Sequence, residues 1–152
     1  MELIQQDSLS LKQIRLYNPL LLSKYLNIRY KVFICEMNRR IIFGEFHFND
    51  LPARHYVLQL NNKVIGTARL IYEAENIVRI GRVAILENYR NKGYGGFIVN
   101  RLLEIIKDEN LASVVSLFSE DNRIDFYKRL GFVAREKIFT FSVPVTYMVI
   151  NV

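Results

Sequence analysis

Apolar residues recur at two different periods along this chain, and the period changes near residue 54. Upstream, Leu20, Leu21, Tyr25, Ile28, Val32 and Phe33 fall at roughly helical spacing. Asn18 is placed to cap that helix, and Pro19 suits its first turn, where a missing N–H has no intrahelical partner to lose. No period holds over 37–51, which predicts a loop with at most one short helical turn. Segments 54–60 and 63–72 are rich in β-formers, and Asn61-Asn62 between them suits a tight hairpin turn. After Glu73-Ala74-Glu75-Asn76 a further strand is expected over 77–86. Segment 97–107 is a strongly amphipathic helix: Ile98, Leu102, Ile105 and Ile106 share one face, and Arg101, Glu104 and Lys107 the other. A short buried strand follows over 113–118, then a helix over 122–130 stopped by Gly131, then strands over 132–141 and 145–152. With a strand before the first helix, the order is strand, helix, loop, three strands, helix, strand, helix, two strands. That order predicts a mixed sheet flanked by helices, with a right-handed parallel crossover over 77–118.

The length of 152 residues suits one domain, taken as 1–152, with a single core that needs no staples. No linker, repeat or low-complexity segment interrupts it. With 51% hydrophobic and 24% charged residues, disorder is excluded. The only cysteine, Cys35, excludes an intramolecular disulfide, and no zinc-ligand spacing is present, so no metal is expected. No run of about 18 apolar residues occurs. The start, Met1-Glu2-Leu3-Ile4-Gln5-Gln6-Asp7, lacks the basic and apolar stretches of a signal peptide. A soluble cytoplasmic protein without a membrane partner is therefore expected. The net charge of +6 calls for an anionic partner. The positive residues are scattered, and their densest group, Arg39-Arg40, has two members, which favours a small anionic ligand over nucleic acid.

The most informative stretch runs from Gly81 to Phe97, where a strand leads into Arg90-Asn91-Lys92-Gly93-Tyr94-Gly95-Gly96 and then into the amphipathic helix. The first turn of a helix presents N–H groups with no intrahelical acceptor, and the helix dipole adds positive charge there. Gly93, Gly95 and Gly96 clear side chains from that turn, and Arg90 and Lys92 add full charges. Together they suit a pyrophosphate. No Ser, Thr or Asp stands before Gly93 as a cap, so the bound phosphate is expected to take that role. Glycine inside a helix costs about 1 kcal/mol, which is easier to account for if a ligand needs the space. A P-loop requires Gly-Lys-Ser/Thr at the loop's end, and a dinucleotide fingerprint requires a third glycine that the helix after Gly95-Gly96 lacks; neither fits.

The pattern Arg90-x-x-Gly93-x-Gly95-Gly96 resembles the acyl-CoA signature of the GNAT acyltransferase superfamily. A second match, Phe126-Tyr127-Lys128-Arg129-Leu130-Gly131-Phe132, is similar to that family's Phe-Tyr-x-x-x-Gly-Phe. Arg29-Tyr30-Lys31-Val32-Phe33-Ile34-Cys35-Glu36, Ala68-Arg69-Leu70 and Ile80-Gly81-Arg82-Val83 resemble its small bacterial ElaA-like branch. The resemblance implies an α/β (α+β) fold: a mixed, mostly antiparallel central sheet of about six to seven strands, with a central parallel splayed pair, flanked by helices.

Acetyl-CoA is then the implied co-substrate, and a small-molecule or peptide amine the acceptor. Backbone groups of Val83, Ala84 and Ile85 would hold pantetheine, and one N–H would polarise the thioester carbonyl. Arg90, Asn91, Lys92, Gly93, Tyr94, Gly95 and Gly96 would hold the pyrophosphate. Tyr127 matches the family's general acid, which protonates the departing thiolate. Glu120 stands where the family often has Asn, seven residues before that Tyr, so Asn122 is the substitute contact to CoA. Glu36 is the favoured base, with His55 and Glu73 as alternatives. Arg29 and Arg69 are candidate substrate-binding residues; Arg69 and Arg82, if buried, either pair with Glu36 or Glu45 beneath the site or bind a substrate carboxylate, and the two readings weigh equally. His47 reads as a packed loop residue.

Three other functions share these features. Arg29-x-x-Val32-Phe33 and Ala68-Arg69-Leu70 are also similar to acyl-homoserine-lactone and N-acyl amino acid synthases, which take longer acyl chains. A non-catalytic CoA-binding module and, on charge alone, a nucleic-acid-binding domain complete the set. An exposed last strand leaves a homodimer open, and residue type alone does not read out the acceptor.

Overall fold

The structure, a computed structural model, describes residues 8–15, 17–36, 52–139 and 143–152; the loop expected over 37–51, with Glu45 and His47, lies outside them. Seven strands form one sheet in the order β1-β2-β3-β4-β5-β7-β6. They are β1 (Leu9–Ile14), β2 (Arg54–Leu60), β3 (Lys63–Ala74), β4 (Ile77–Ile85), β5 (Val114–Ser119), β6 (Val133–Phe139) and β7 (Pro144–Asn151). Every neighbouring pair is antiparallel except β4 and β5, which run parallel. Helices α1 (Pro19–Arg29), α2 (Tyr94–Asp108) and α3 (Ile124–Arg129) flank the sheet. This is the expected mixed sheet with a central parallel pair.

Local chemistry sets most element ends. Asn18 caps α1 through a bond from the Leu21 N–H to its side-chain oxygen (3.1 Å), and Pro19 follows at the first helical position. Asn61 and Asn62 both take left-handed φ values, 49° and 64°, the pair of angles a two-residue hairpin needs to follow the twist of its strands. Gly131, at φ 97°, ends α3, and the Phe132 N–H returns to Tyr127 O at 3.1 Å. Three boundaries differ from the periodicity. Helix α1 passes into a π-helical stretch, Tyr30–Glu36, and α2 begins at Tyr94, so that Gly95 and Gly96 are helical. Strand β3 runs on to Ala74, which moves the turn before β4 to Glu75-Asn76.

The sheet is buried on both faces. On one, Tyr56, Leu58, Ala68, Leu70, Val78 and Ile80 pack against Ile98, Val99, Leu102 and Ile106 of α2. On the other, Val57, Val64 and Ala84 pack against Tyr25, Ile28, Val32 and Phe33. The four α2 residues are fully buried, each of the larger ones contributing about 1.5–3 kcal/mol. No helix of the described residues is long and apolar enough to cross a membrane.

Two irregularities shape the centre of the sheet. The β3–β4 register steps from Thr67↔Ala84 to Arg69↔Gly81, so Arg82 and Val83 together oppose Ala68. This is a β-bulge, and Arg82 takes φ 52° within it. The buried Thr67 hydroxyl donates to the Arg82 carbonyl at 3.2 Å, which satisfies an oxygen that the bulge removes from the ladder. The second irregularity lies between β4 and β5, which pair only at Ile77↔Val114, Val78↔Val115 and Arg79↔Ser116. Beyond those pairs the two strands separate, and one edge of residues 80–85 faces the gap.

Candidate active site

The gap between β4 and β5 leads toward the start of α2. There Gly93 is the N-cap, at φ 84° with no capping side chain, and open space surrounds the position a Cβ would take. The first bond back into the helix is from the Phe97 N–H to Gly93 O at 3.0 Å. The amides of Tyr94, Gly95 and Gly96 therefore belong to the turn that lacks intrahelical acceptors. Gly95 and Gly96 have a second reason to be small. A Cβ on Gly95 would lie 3.4 Å from the Phe126 ring, and one on Gly96 3.8 Å from Leu130, so these positions also let α3 approach α2.

Charge around the turn is partly committed to the protein itself. Arg90 donates from Nε to Ile85 O at 2.9 Å, and its terminal nitrogen meets the Glu36 carboxylate at 2.5 Å. One guanidinium thus ties the end of β4 to the helical layer above it, and two predicted site residues 54 positions apart are brought together. The pair is about one-third exposed, so it adds roughly 0.2–1 kcal/mol to stability. A double-mutant cycle of Glu36→Gln and Arg90→Gln, read by urea unfolding, is expected to return a coupling in that range. Lys92 donates to Asn88 O at 3.4 Å. Its ammonium lies 5.8 Å from the Tyr89 ring centroid, and that of Lys63 lies 5.2 Å from it. Asn91 takes a left-handed φ of 59° in the same loop.

Tyr127 is half-buried on α3 and packs into the same cluster as Val83, Ile85 and Tyr94. Its ring makes edge contacts with Phe126 (4.9 Å) and Phe132 (6.0 Å). Burial holds its phenol pKa above the ordinary 10.0; nearby Arg123 opposes the shift, and Glu120 adds to it. Asn122 lies exposed in the short 3-10 turn that precedes α3.

The remaining predicted residues lie across the sheet from α2. Arg29 is 1% exposed and donates to the Tyr25 hydroxyl at 3.1 Å; that hydroxyl also bonds His55 Nδ1 at 2.8 Å. Arg69 is buried on β3. Glu73 accepts a bond from the Ser116 hydroxyl and lies 3.9 Å from Arg79, so it is fixed at the closed end of the gap. There a cavity of about 290 Å3 is lined by Arg69, Ile71, Arg79, Gly81, Arg82 and Phe118, together with Ile80. The sequence reading passed over Arg79 and Phe118. The β3–β4 register, Arg69↔Gly81 and Ile71↔Arg79, places Arg79 on the face of Arg69, and Phe118 joins them from β5.

The Acetyltransferase (GNAT) family model matches residues 21–132. A UPF0039 protein of Schizosaccharomyces pombe is 34% identical over 107 residues, covering 69% of this chain and 70% of its own length. The crystal structure of Escherichia coli ElaA superimposes with a TM-score of 0.80 at 22% identity, covering 95% of this chain and 99% of that one. A GNAT family acetyltransferase from Elizabethkingia anophelis, solved with acetyl-CoA bound, gives 0.70 at 13% identity, covering 97% and 100%. The chain belongs to the GNAT acetyltransferase family. It shares its fold with the ElaA structure.

Proposed function

We propose that this chain, residues 1–152 acting as one acyltransferase domain, moves an acetyl group from acetyl-CoA to a primary amine by direct attack. One observation carries the reading: the parted β4 and β5 lead to a helix start capped by a left-handed glycine instead of a side chain. The Elizabethkingia relative of the same fold holds acetyl-CoA. In this reading the amides of Asn91 to Gly96 grip the diphosphate, with Lys92 adding charge and Arg90 fixing the loop to Ile85. Backbone groups of Val83, Ala84 and Ile85 align the pantetheine arm, and Asn122 gives it a side-chain contact.

The amine lone pair attacks the thioester carbonyl carbon, and the developing oxyanion is stabilised by a β4 N–H. When the C–S bond breaks, sulfur keeps the electron pair and Tyr127 donates a proton to it. The nitrogen gives up a proton through water to Glu36, and net proton balance restores the phenol. Arg29 supports the acceptor side from within its bond to Tyr25, and Arg69 lines it directly.

The test is transfer from acetyl-CoA to a panel of amines, with thermal shifts recorded against acetyl-CoA and longer acyl-CoAs. Transfer together with a shift for acetyl-CoA is expected. A shift only with long acyl chains would move the chain to the longer-chain synthases. Tight CoA binding without transfer to any amine would make it a binding module.

A further inference from the structure

We propose that the acceptor amine also carries a carboxylate, and that Arg79 receives that group at the closed end of the gap between β4 and β5. This rests on the acyltransferase reading and names the substrate class of that same site. Residue 79 is the last β4 position paired with β5, so its side chain stands where the opening begins. From there to Ile85 the strand spans roughly 15–20 Å at about 3.3 Å per residue. A diphosphate held at the α2 start is therefore well separated from Arg79, and the guanidinium serves a different anion.

The cavity is built for such a group. Arg69, Arg79 and Arg82 all line it, and Arg69 and Arg82 engage other groups of the chain as well. Arg79 is held by one distant carboxylate and one aromatic ring. Its carboxylate neighbour Glu73 is 3.9 Å away and accepts from Ser116, while its guanidinium stacks 4.8 Å from the Phe118 ring centroid. A guanidinium laid on an aromatic face keeps its in-plane N–H fork available, and that fork matches a carboxylate bidentately. Phe118, 41% exposed and backed by Tyr147 at 5.5 Å, supplies an apolar wall.

The bulge adds direction. Arg82 and Val83 both oppose Ala68, so the backbone that follows Gly81 is turned at the mouth of this cavity. A ligand with its carboxylate on Arg79 would present its amine toward Val83 and Ala84, where the thioester carbonyl would lie. The cavity adjoins a second one of about 300 Å3 lined by Pro52, Ile71, Tyr72, Glu73 and Arg79. A free amino acid fits the first space alone, and a short peptide fits the two together.

The experiment pairs each amino acid with its decarboxylated amine, for example phenylalanine with phenethylamine and leucine with isoamylamine. Calorimetric binding to the CoA-loaded protein is measured beside acetyl transfer. The wild-type chain is expected to bind and acetylate the amino acid in preference to the amine. Arg79→Gln is expected to weaken the amino acid by about ten- to hundred-fold in Kd and KM, to leave the decarboxylated amine unchanged, and to leave CoA affinity unchanged. Arg79→Lys should recover part of the loss. Equal treatment of the two partners by the wild-type chain, or an Arg79→Gln loss shared by both, would overturn the inference. So would a loss confined to CoA, which would give the cavity to the donor. Selective amino-acid binding without transfer would instead support the site and count against the proposed reaction.

Discussion

Tyr127→Phe is expected to lower kcat by about 10²–10³-fold, with acetyl-CoA affinity unchanged. The substitution removes one oxygen from a ring held by Phe126 and Phe132, and the packing that positions α3 remains. The loss therefore falls on the step in which sulfur departs. Burial raises the phenol pKa, so the group stays protonated through neutral pH and is ready to donate. A thiol ordinarily titrates near 8.5, below this phenol, so in the proposed mechanism Tyr127 would act first as a hydrogen-bond donor to the departing sulfur. Two pH consequences follow. The wild-type rate should show no Tyr127-dependent decline until pH passes 10, since only the protonated phenol donates. The stability linked to this group is fully present below the ordinary tyrosine pKa and is lost as pH rises through the higher folded value. Steady-state kinetics over pH 6–10.5, with both proteins checked by near-UV circular dichroism, measure this. A Tyr127→Phe enzyme of full rate would remove the residue from the mechanism.

Gly66→Ala is expected to cost about 1–3 kcal/mol of stability and to weaken donor binding. A Cβ at residue 66 would stand 2.7 Å from Ile85 Cδ1 and 2.9 Å from the Ala84 carbonyl oxygen. The first neighbour is the end of a side chain and can give way. The second is backbone of the strand proposed to align pantetheine, and it moves only if β4 moves. Thermal melting reads the stability term, at about 2–4 °C per kcal/mol for a chain of this size. Ile85→Val in the same background deletes the nearer obstacle and should recover part of the melting temperature, though not the donor affinity. If the single variant matches the wild-type chain in both readouts, the close approach of β3 to β4 has no such role.

Much of this architecture was legible because it depends on short-range chemistry. The 3.6-residue period of Ile98, Leu102, Ile105 and Ile106 specifies an amphipathic helix wherever it packs. Asn18 before Pro19, the Asn61-Asn62 pair and Gly131 each act through their own backbone angles or a bond within a few residues. The glycine-lined turn was legible for the same reason: strand, glycines, basic residues and helix are contiguous from Gly81 to Phe97. Apolar periodicity marks α2 only from Phe97, because Gly95 and Gly96 carry no side chain to join the pattern, yet both are helical. Close approach to Phe126 of α3 and to Leu130 just after it offsets the low helix propensity of glycine there.

The bulge at Arg82 was hidden. Simple alternation sends Arg82 to the face opposite Gly81, toward α2, yet its guanidinium lies 5.7 Å from the ring of Phe33 on the other side of the sheet. One extra residue inverts the face of everything after it, and nothing in a strand's composition records it. The join of Glu36 to Arg90 and the placing of Arg79 beside Phe118 were hidden for a related reason, since each depends on how elements distant in the chain meet.

The amino-acid sequence by itself thus determined the elements, the glycine-lined turn at the start of α2 and the family, because capping, periodicity and glycine act over a few residues. Only the tertiary structure decided where β4 leaves β5, which arginines share a cavity, and which carboxylate Arg90 holds. Those outcomes depend on strand register and long-range packing, and a one-residue shift in either would send each side chain to a different neighbour.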